Sequence, residues 1–185
     1  MKTERLKADA HGLVRAAELL LAGEIVAIPT ETVYGLAVNA CLSEADLKLN
    51  ALKGSPDAKP ITRLASELPE LPEAHEDALK LFERHATVIV PYSGGKLGFR
   101  KPGNKFALDL LEHLGLPLAC TSANVSGGDP ALTAEQVLQI FDGKIAAVAE
   151  NGEYSEGIPS AVVDFTVNPP KILRQGGGLQ GFQNS

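Results

Sequence analysis

Short apolar runs alternate with amphipathic helical patterns along this chain, and that alternation is the strongest constraint on its fold. Residues 24–28 (EIVAI), 87–90 (TVIV) and 116–120 (LPLAC) have the length and composition of buried strands. Residues 8–22 and 104–113 instead place apolar side chains at helical spacing. Strands and helices mixed in this way predict an α/β fold, a single-domain open, twisted, mixed sheet with flanking helices.

Residue types that cap helices indicate where several helices begin and end. Gly23 is suited to end the first helix, and Asn104 and Thr133 are suited to begin later ones. Ser43 is expected to cap a helix that runs to about residue 52. The other predicted elements are helices at residues 74–84 and 133–140 and strands at residues 61–65, 97–100, 145–149, 161–165 and 171–173.

The length of 185 residues suits one domain with a closed hydrophobic core. The chain contains no internal repeat and no linker long enough to divide it, so one domain is expected over residues 1–178, followed by a flexible tail at 179–185. No apolar run approaches the roughly 18 residues of a membrane span. The first residues are polar rather than an apolar signal core. We therefore expect a cytoplasmic protein with no membrane partner.

The charge balance bears on the class of ligand. The formal net charge is −6, whereas proteins that mainly grip nucleic acid usually carry a basic surface. A local basic cluster can still face a phosphate group, and it consists of Lys96, Arg100, Lys101 and Lys105. Binding of a small anion is the interpretation that this pattern favours.

The cysteines and histidines indicate no nucleophile or metal centre. Cys41 and Cys120 lie far apart without a CxxC pair, and we interpret both as buried thiols. The four histidines lack metal-ligand spacing and are interpreted as surface residues. No Ser-His-Asp or Cys-His arrangement is recognisable.

Two polar segments interrupt the first half of the chain. Residues 29–36 (PTETVYGL) directly follow a predicted strand, which is where open α/β sheets bind ligands. Residues 53–60 (KGSPDAKP) place two lysines beside a Gly/Pro turn, where they can direct charge at a phosphate or carboxylate. A capped turn and a solvated basic turn are the respective structural alternatives. No Walker A pattern is present.

Two more polar segments lie in the second half. Residues 121–128 (TSANVSGG) follow an apolar run and combine small side chains with hydroxyl and amide groups, which suits a phosphate or an adenylate. Ser160 opens one predicted strand and Arg174 closes the next, so both can reach the same edge of the sheet. Arginine is suited to bidentate contact with a carboxylate or phosphate.

In order and spacing these segments resemble the Sua5/YrdC/YciO family of threonylcarbamoyl-AMP synthases, over roughly residues 10–178. A single such motif would be weak, but six occur in register. "SANVSG" is also more similar to the synthase branch than to the YciO branch. The motifs are "GEIVAIPTETVYGLAVNA", "KGSPDAKPI", "GFRKPGN", "CTSANVSG", "IPSAVVDF" and "ILRQGG".

The resemblance implies an enzyme that makes threonylcarbamoyl-AMP and pyrophosphate from L-threonine, bicarbonate and ATP with Mg²⁺. The product would serve N6-threonylcarbamoyladenosine (t6A) modification of tRNA. Proteins of the t6A pathway, tRNA or double-stranded RNA are the implied partners, and no resident metal site is implied. By the same resemblance Lys53 is catalytic. The implied threonine-binding residues are Thr32, Arg100 and Ser160, and the implied ATP-binding residues are Lys59, Ser122, Asn124 and Arg174.

The sequence departs from the family pattern at specific positions. Ser55 stands where the family has the arginine of Lys-x-Arg, and residues 82–87 (FERHAT) replace a WPGP-x-T turn. The helix formers in that segment predict a longer helix, and Arg63 and Arg84 are candidates to supply the missing cation. Two alternatives therefore stay open. One is a catalytically weak paralogue that binds nucleotide or double-stranded RNA, and the other is a related carbamoyl-transfer or hydrolase activity on a different amino acid.

Overall fold

One mixed sheet organises the molecule, which confirms the predicted fold class. The computed structural model describes residues 2–55, 60–70, 76–150, 157–180 and 182. Within them the strands are β1 (Glu4–Lys7), β2 (Val26–Ile28), β3 (Gly35–Asn39), β4 (Arg63–Leu64), β5 (Thr87–Tyr92), β6 (Gly95–Arg100), β7 (Leu118–Ser122), β8 (Ala147–Glu150), β9 (Val162–Asp164) and β10 (Lys171–Arg174). The helices are α1 (Ala10–Leu21), α2 (Ala45–Leu52), α3 (Glu76–Glu83), α4 (Lys105–Leu114) and α5 (Ala134–Phe141).

The strand order brings distant polar segments to the centre of the sheet. The order is β1-β8-β2-β3-β7-β4-β6-β5-β9-β10, with both parallel and antiparallel neighbours. Gly35 of β3 lies opposite Ser122 of β7, and Leu64 of β4 lies opposite Arg100 of β6. The loop between β2 and β3 therefore runs beside the end of β7.

Both faces of the central sheet are buried, because side chains alternate in direction along each strand. On one face Ala27 packs with helices α2 and α5 through residues such as Leu49 and Phe141. On the other face Val26 and Ile28 pack with α1 and α4. A third cluster joins α3 to β5, β6 and β9. This two-sided packing holds the central strand ends, and the loops that follow them, in fixed positions.

Two helix caps confirm the sequence prediction and one contradicts it. Asn104 accepts a hydrogen bond from the Ala107 N–H at 3.2 Å, and Thr133 accepts one from the Gln136 N–H at 3.2 Å. The prediction for Ser43 is wrong, since α2 begins at Ala45 and its N-terminus has no side-chain cap.

Strand β1 was not predicted from the sequence. It pairs in parallel with β8 at the edge of the sheet, and Leu6 is its only buried residue. A single apolar residue among charged ones gives too weak an alternation to indicate a strand.

The helix predicted to end at residue 84 ends one residue earlier, inside the FERHAT segment. Helix α3 ends at Glu83, and His85 takes a left-handed conformation with φ of 66°. The Ala86 N–H then donates to the Leu81 carbonyl at 3.0 Å, which is the Schellman pattern of a helix end. The chain therefore turns where the family has its Pro-Gly turn, and Thr87 begins β5 beside the site described below.

The C-terminal segment has described contacts at three positions, one of them the Gln180 carbonyl, which accepts a hydrogen bond from Arg84. Leu179 and Phe182 pack against the third core cluster, and the rings of Phe182 and Phe165 lie 6.2 Å apart. The flexibility of residues 179–185 stays a prediction. Across the described part of the chain, every helix is too short or too polar to span a bilayer.

Candidate active site

A cavity of about 400 Å³ opens over the central strands, within the size range of small-molecule sites. It brings together most of the residues that the family resemblance singled out. Asn124 is not among the lining residues but contacts one of them, and Lys59 falls outside the described residues. The predicted residues that line the cavity are Thr32, Lys53, Arg100, Ser122, Ser160 and Arg174.

Lys53 is held by the end of β7 and the loop after it. Its Nζ donates to the Ser122 carbonyl at 2.7 Å, to Asn124 Oδ1 at 2.9 Å and to Ser122 Oγ at 3.3 Å. The Asn124 amide nitrogen is itself fixed by the Val125 and Gly128 carbonyls, each at 2.8 Å. Burial lowers the pKa of the Lys53 ammonium. The result is a positioned cation, partly removed from water.

Arg100, at the end of β6, is anchored at two of its nitrogens. Nε donates to the His85 carbonyl at 3.1 Å, and Nη2 donates to Thr32 Oγ1 at 3.1 Å and to the Glu31 carboxylate. The Arg100 side chain is only 11% exposed. Sequence reasoning missed Glu31, although it stands inside the PTET segment between two threonines that were considered.

Ser160 and Arg174 meet at one edge of the sheet, as predicted. Arg174 Nε donates to the Ser160 carbonyl at 2.9 Å, and Nη2 donates to Ser160 Oγ at 3.2 Å. Thr87, which was not assigned to the site, lines the cavity, and its Oγ1 lies 2.9 Å from Ser160 Oγ. Arg100 and Arg174 both line the cavity. Burial, and then the positive charge of the Arg100 guanidinium, lower the pKa of Arg174.

The electrostatics of this cavity are opposite to those of the whole chain. Lys53, Arg100 and Arg174 line it, and the lining residues among those described include no aspartate or glutamate. The chain as a whole carries a formal charge of −6. A local excess of positive charge in an acidic protein is suited to bind a small anion.

Among the described residues, neither arginine suggested as a replacement for the missing family arginine lines the cavity. Ser55 lines it, as the sequence indicates. Arg63 instead pairs with Asp46 at 2.5 Å, and Arg84 donates to the Gln180 carbonyl. Neither arginine is among the described lining residues, so the suggestion that one of them substitutes is wrong.

The two cysteines differ in environment, which corrects the prediction that both are buried. Cys41 is exposed, whereas Cys120 borders the cavity. Burial raises the pKa of the Cys120 thiol to about 12, so it is neutral at physiological pH. A neutral thiol is a poor nucleophile.

This difference predicts selective labelling. In a titration with Ellman's reagent at pH 8, we expect Cys41 to react rapidly and Cys120 to react far more slowly in the folded protein, because the thiolate is the reactive species. Cys41→Ser removes the fast phase, and Cys120→Ser leaves it in place. A second fast phase that disappears with Cys120→Ser would contradict this environment for Cys120.

Gly35 allows β3 to approach Cys120 at the floor of the cavity. A Cβ at Gly35 would lie 2.5 Å from Cys120 Sγ, closer than real contacts allow. Gly35→Ala is therefore expected to lower the free energy of unfolding by about 1–3 kcal/mol through overpacking. Denaturant unfolding measures this effect.

A double-mutant cycle tests the stated cause. Adding Cys120→Ala removes the clashing sulfur, so the pair is expected to be about 1 kcal/mol more stable than additivity gives. Gly95→Ala is the matched control, because its nearest added contact is an ordinary 3.8 Å. Strict additivity of Gly35→Ala and Cys120→Ala would show that the sulfur is not responsible.

Sequence comparison finds a family model and named relatives that match most of this chain. The Sua5/YciO/YrdC family model, described as "Telomere recombination", matches residues 18–176. The chain is 34% identical over 194 aligned positions to threonylcarbamoyl-AMP synthase of Bacillus subtilis, covering 95% of this chain and 56% of that protein. It is 36% identical to threonylcarbamoyl-AMP synthase of Pyrococcus abyssi, covering 88% of this chain and 53% of that protein.

A solved structure shows the same likeness in three dimensions. The crystal structure of P. abyssi Sua5 complexed with L-threonine superposes with a TM-score of 0.86 at 31% identity, covering 95% of this chain and 58% of the other. The present chain thus spans somewhat more than half the length of these relatives. By family model, sequence identity and fold, it belongs to the Sua5/YciO/YrdC family.

Proposed function

We propose that this protein is a threonylcarbamoyl-AMP synthase that joins L-threonine, bicarbonate and ATP and releases pyrophosphate. The cavity with three cations and no lining carboxylate among the described residues carries the proposal. Two relatives bear the name of this enzyme, and a related Sua5 has been crystallised with L-threonine. Each substrate presents a negatively charged group, the carboxylate of L-threonine, bicarbonate itself or the phosphates of ATP, which such a cavity can bind.

The cations are divided between two parts of the cavity. Arg100, with Thr32 beside its guanidinium, is suited to the carboxylate of L-threonine. Lys53, with Ser122 and Asn124 around it, supplies a point charge suited to the phosphates of ATP. Ser160 accepts a hydrogen bond from Arg174. Arg174 in turn supplies a second positive charge suited to the phosphates. In this assignment Lys59 is a further ATP ligand, which stays a prediction.

The chemistry asked of these groups is positioning and charge stabilisation. The threonine amine combines with bicarbonate to give a carbamate and water. A carbamate oxygen then attacks the α-phosphorus of ATP, and pyrophosphate leaves with the electron pair of the broken P–O bond. Fixed cations stabilise the charge that develops on the phosphoryl oxygens. No step requires a covalent bond to the protein, and Cys120, neutral in this cavity, has no part in it.

Mg²⁺ enters this scheme as part of the nucleotide substrate. In nucleotide sites it keeps several waters and is bound largely by phosphate oxygens. The described residues include no cluster of three His, Cys, Asp or Glu side chains. Lys53 and Arg174 line the cavity, and they are suited to contact the phosphate oxygens of the nucleotide.

The proposed setting is the cytoplasm, with the product passed to t6A-pathway proteins that modify tRNA. A second candidate function is a catalytically weak paralogue that binds nucleotide or double-stranded RNA. Ser55 favours it, because this side chain borders the cavity where the family has a cation, and no described arginine takes its place. Loss of a charge-assisted bond costs about 1.5–3 kcal/mol.

One assay separates the candidates. The purified protein is given labelled L-threonine, bicarbonate, ATP and Mg²⁺, and pyrophosphate release is followed. Release that depends on both L-threonine and bicarbonate supports the synthase. ATP binding without such release supports the paralogue, and release with another amino acid supports a related activity. Ser55→Arg restores the family cation and is expected to raise ATP affinity about tenfold or more.

A further inference from the structure

Glu31 is a partly buried carboxylate that the proposed mechanism does not use. One oxygen accepts a hydrogen bond from Arg100 Nη2, and the other accepts from the Gly103 N–H at 2.8 Å and the Asn104 N–H at 3.2 Å. Its side chain is 24% exposed, and it is not among the residues that line the cavity. Glu31 therefore touches Arg100 from outside the space in which substrates would bind.

The hydrogen bonds of Arg100 leave one part of its guanidinium for a ligand. Nε is used by the His85 carbonyl, and Nη2 is shared between Glu31 and Thr32. Among the described residues Nη1 has no hydrogen-bond partner. Nη1 carries two N–H donors, so it is the nitrogen of Arg100 that can donate to a ligand carboxylate.

Glu31 also ties the guanidinium to a rigid element. Asn104 is the N-cap of α4, and the apolar face of that helix is buried in the second core cluster. A long arginine side chain has several rotatable bonds, and fixing it in advance spares the entropy that a ligand would otherwise have to offset. The Glu31 carboxylate thus connects Arg100 to the core through α4.

The Glu31 pair also sets the distribution of charge. Arg100 is compensated by Glu31, whereas Lys53 and Arg174 have no carboxylate partner among the described residues. A polyanion is drawn most strongly to uncompensated cations. The phosphates of a nucleotide are therefore directed to Lys53 and Arg174, and Arg100 is kept for a singly charged group.

From these contacts we propose that Glu31 is a positioning residue that fixes Arg100 so that Nη1 receives the carboxylate of the amino-acid substrate. This rests on the proposed function for the identity of that substrate. The competing explanation is that Glu31 only satisfies the backbone N–H groups before α4. Glu31→Gln separates the two, because its amide oxygen can still accept from Gly103 and Asn104 but carries no charge toward Arg100.

The test measures ligand affinity and the mobility of the Arg100 side chain. By calorimetry, Glu31→Gln is expected to weaken L-threonine binding about tenfold and Glu31→Ala somewhat more, with binding of a non-hydrolysable ATP analogue changed less than about twofold. In ¹⁵N-arginine NMR spectra, the Arg100 Nε–H signal, assigned with Arg100→Lys, is expected to become broader and faster to exchange in both variants. Glu4→Gln is the matched control, since it breaks a surface Arg–Glu pair of 2.8 Å with Arg15.

Two outcomes would contradict the role of Glu31, and a third would contradict the proposed function. An Arg100 signal that is unchanged in both Glu31 variants overturns the proposal, as does an equal loss of L-threonine and nucleotide binding. If the natural protein binds the nucleotide analogue but no L-threonine, the proposed function fails. The Arg100 signal still tests Glu31 in that case, because it needs no substrate.

Discussion

Arg100→Ala is expected to raise the L-threonine concentration needed for half-maximal pyrophosphate release by about 100-fold. The guanidinium is nearly buried and anchored by the His85 carbonyl and by Thr32, so its charge is delivered at one fixed place. A charge-assisted contact in such a setting contributes about 1.5–3 kcal/mol, which is roughly ten- to a hundredfold in affinity. The measurement is the dependence of initial rate on L-threonine at saturating ATP.

The matched variant is Arg100→Lys, which keeps the charge but not the planar fork. We expect it to recover only a small part of the lost affinity, because lysine cannot hold Glu31 and a ligand carboxylate together. Affinity for an ATP analogue is expected to stay within about threefold of the natural protein in both variants. An unchanged response to L-threonine in Arg100→Ala would remove Arg100 from the site.

Much of the fold was predictable because the central strands correspond to short apolar runs in the sequence. Both sides of the central sheet are covered by helices, so strand β7 carries apolar residues in succession and is easily recognised. Edge strand β1 has only one buried side chain, and its pairing with β8 joins residues far apart in sequence. Periodicity within a short window carries no information about such a partner.

The turn at His85 shows a different limit. Left-handed backbone is usually signalled by glycine, and a histidine there gives no such sign. The good helix formers before it favour continuation of α3, yet the contact of Ala86 with Leu81 ends the helix. Local propensity was overridden by the need to start β5 on the sheet.

Within the candidate site, the residue types were predictable but their pairings were not. The Lys53, Ser122 and Asn124 set was expected to act together, and the structure brings these side chains into direct contact. The pairing of Glu31 with Arg100 spans 69 positions in sequence and depends on the register of several strands. Arg63 illustrates the reverse case. The sequence suggested it as a cation for the site, but its guanidinium forms an ion pair with Asp46.

Lys53→Met is the substitution expected to have the largest effect on turnover, a fall of about 100- to 1,000-fold in the rate of pyrophosphate release at saturating substrates. Methionine keeps the length of the side chain but removes the cation that the proposed function assigns to the phosphates. Ser122 lines the cavity, so water can replace the lysine at its carbonyl, and Asn124 Oδ1 keeps the hydrogen bond that it accepts from Ser122 Oγ at 2.5 Å. The free energy of unfolding is therefore expected to change by less than about 1 kcal/mol.

The control for this variant is Lys48→Met on α2, the helix that Lys53 directly follows, where the ammonium lies on the surface 3.7 Å from Glu24. It is expected to leave turnover within about twofold. If Lys53→Met retained near-natural turnover, the assignment of Lys53 as the catalytic cation would be wrong. A large loss of stability in the same variant would instead point to a structural role.

The pH dependence of turnover tests the same charge without a substitution. Burial lowers the pKa of Lys53, so its ammonium loses its proton at a lower pH than the roughly 10.4 of a free lysine. Turnover is therefore expected to fall as pH rises through the lowered value. Stability moves in the opposite direction, because the cost of burying the ammonium is present at neutral pH and is relieved as the proton leaves. A rate that falls where stability does not is the signature expected of a buried catalytic cation, and an alkaline limb that persists in Lys53→Met would assign the loss to another group.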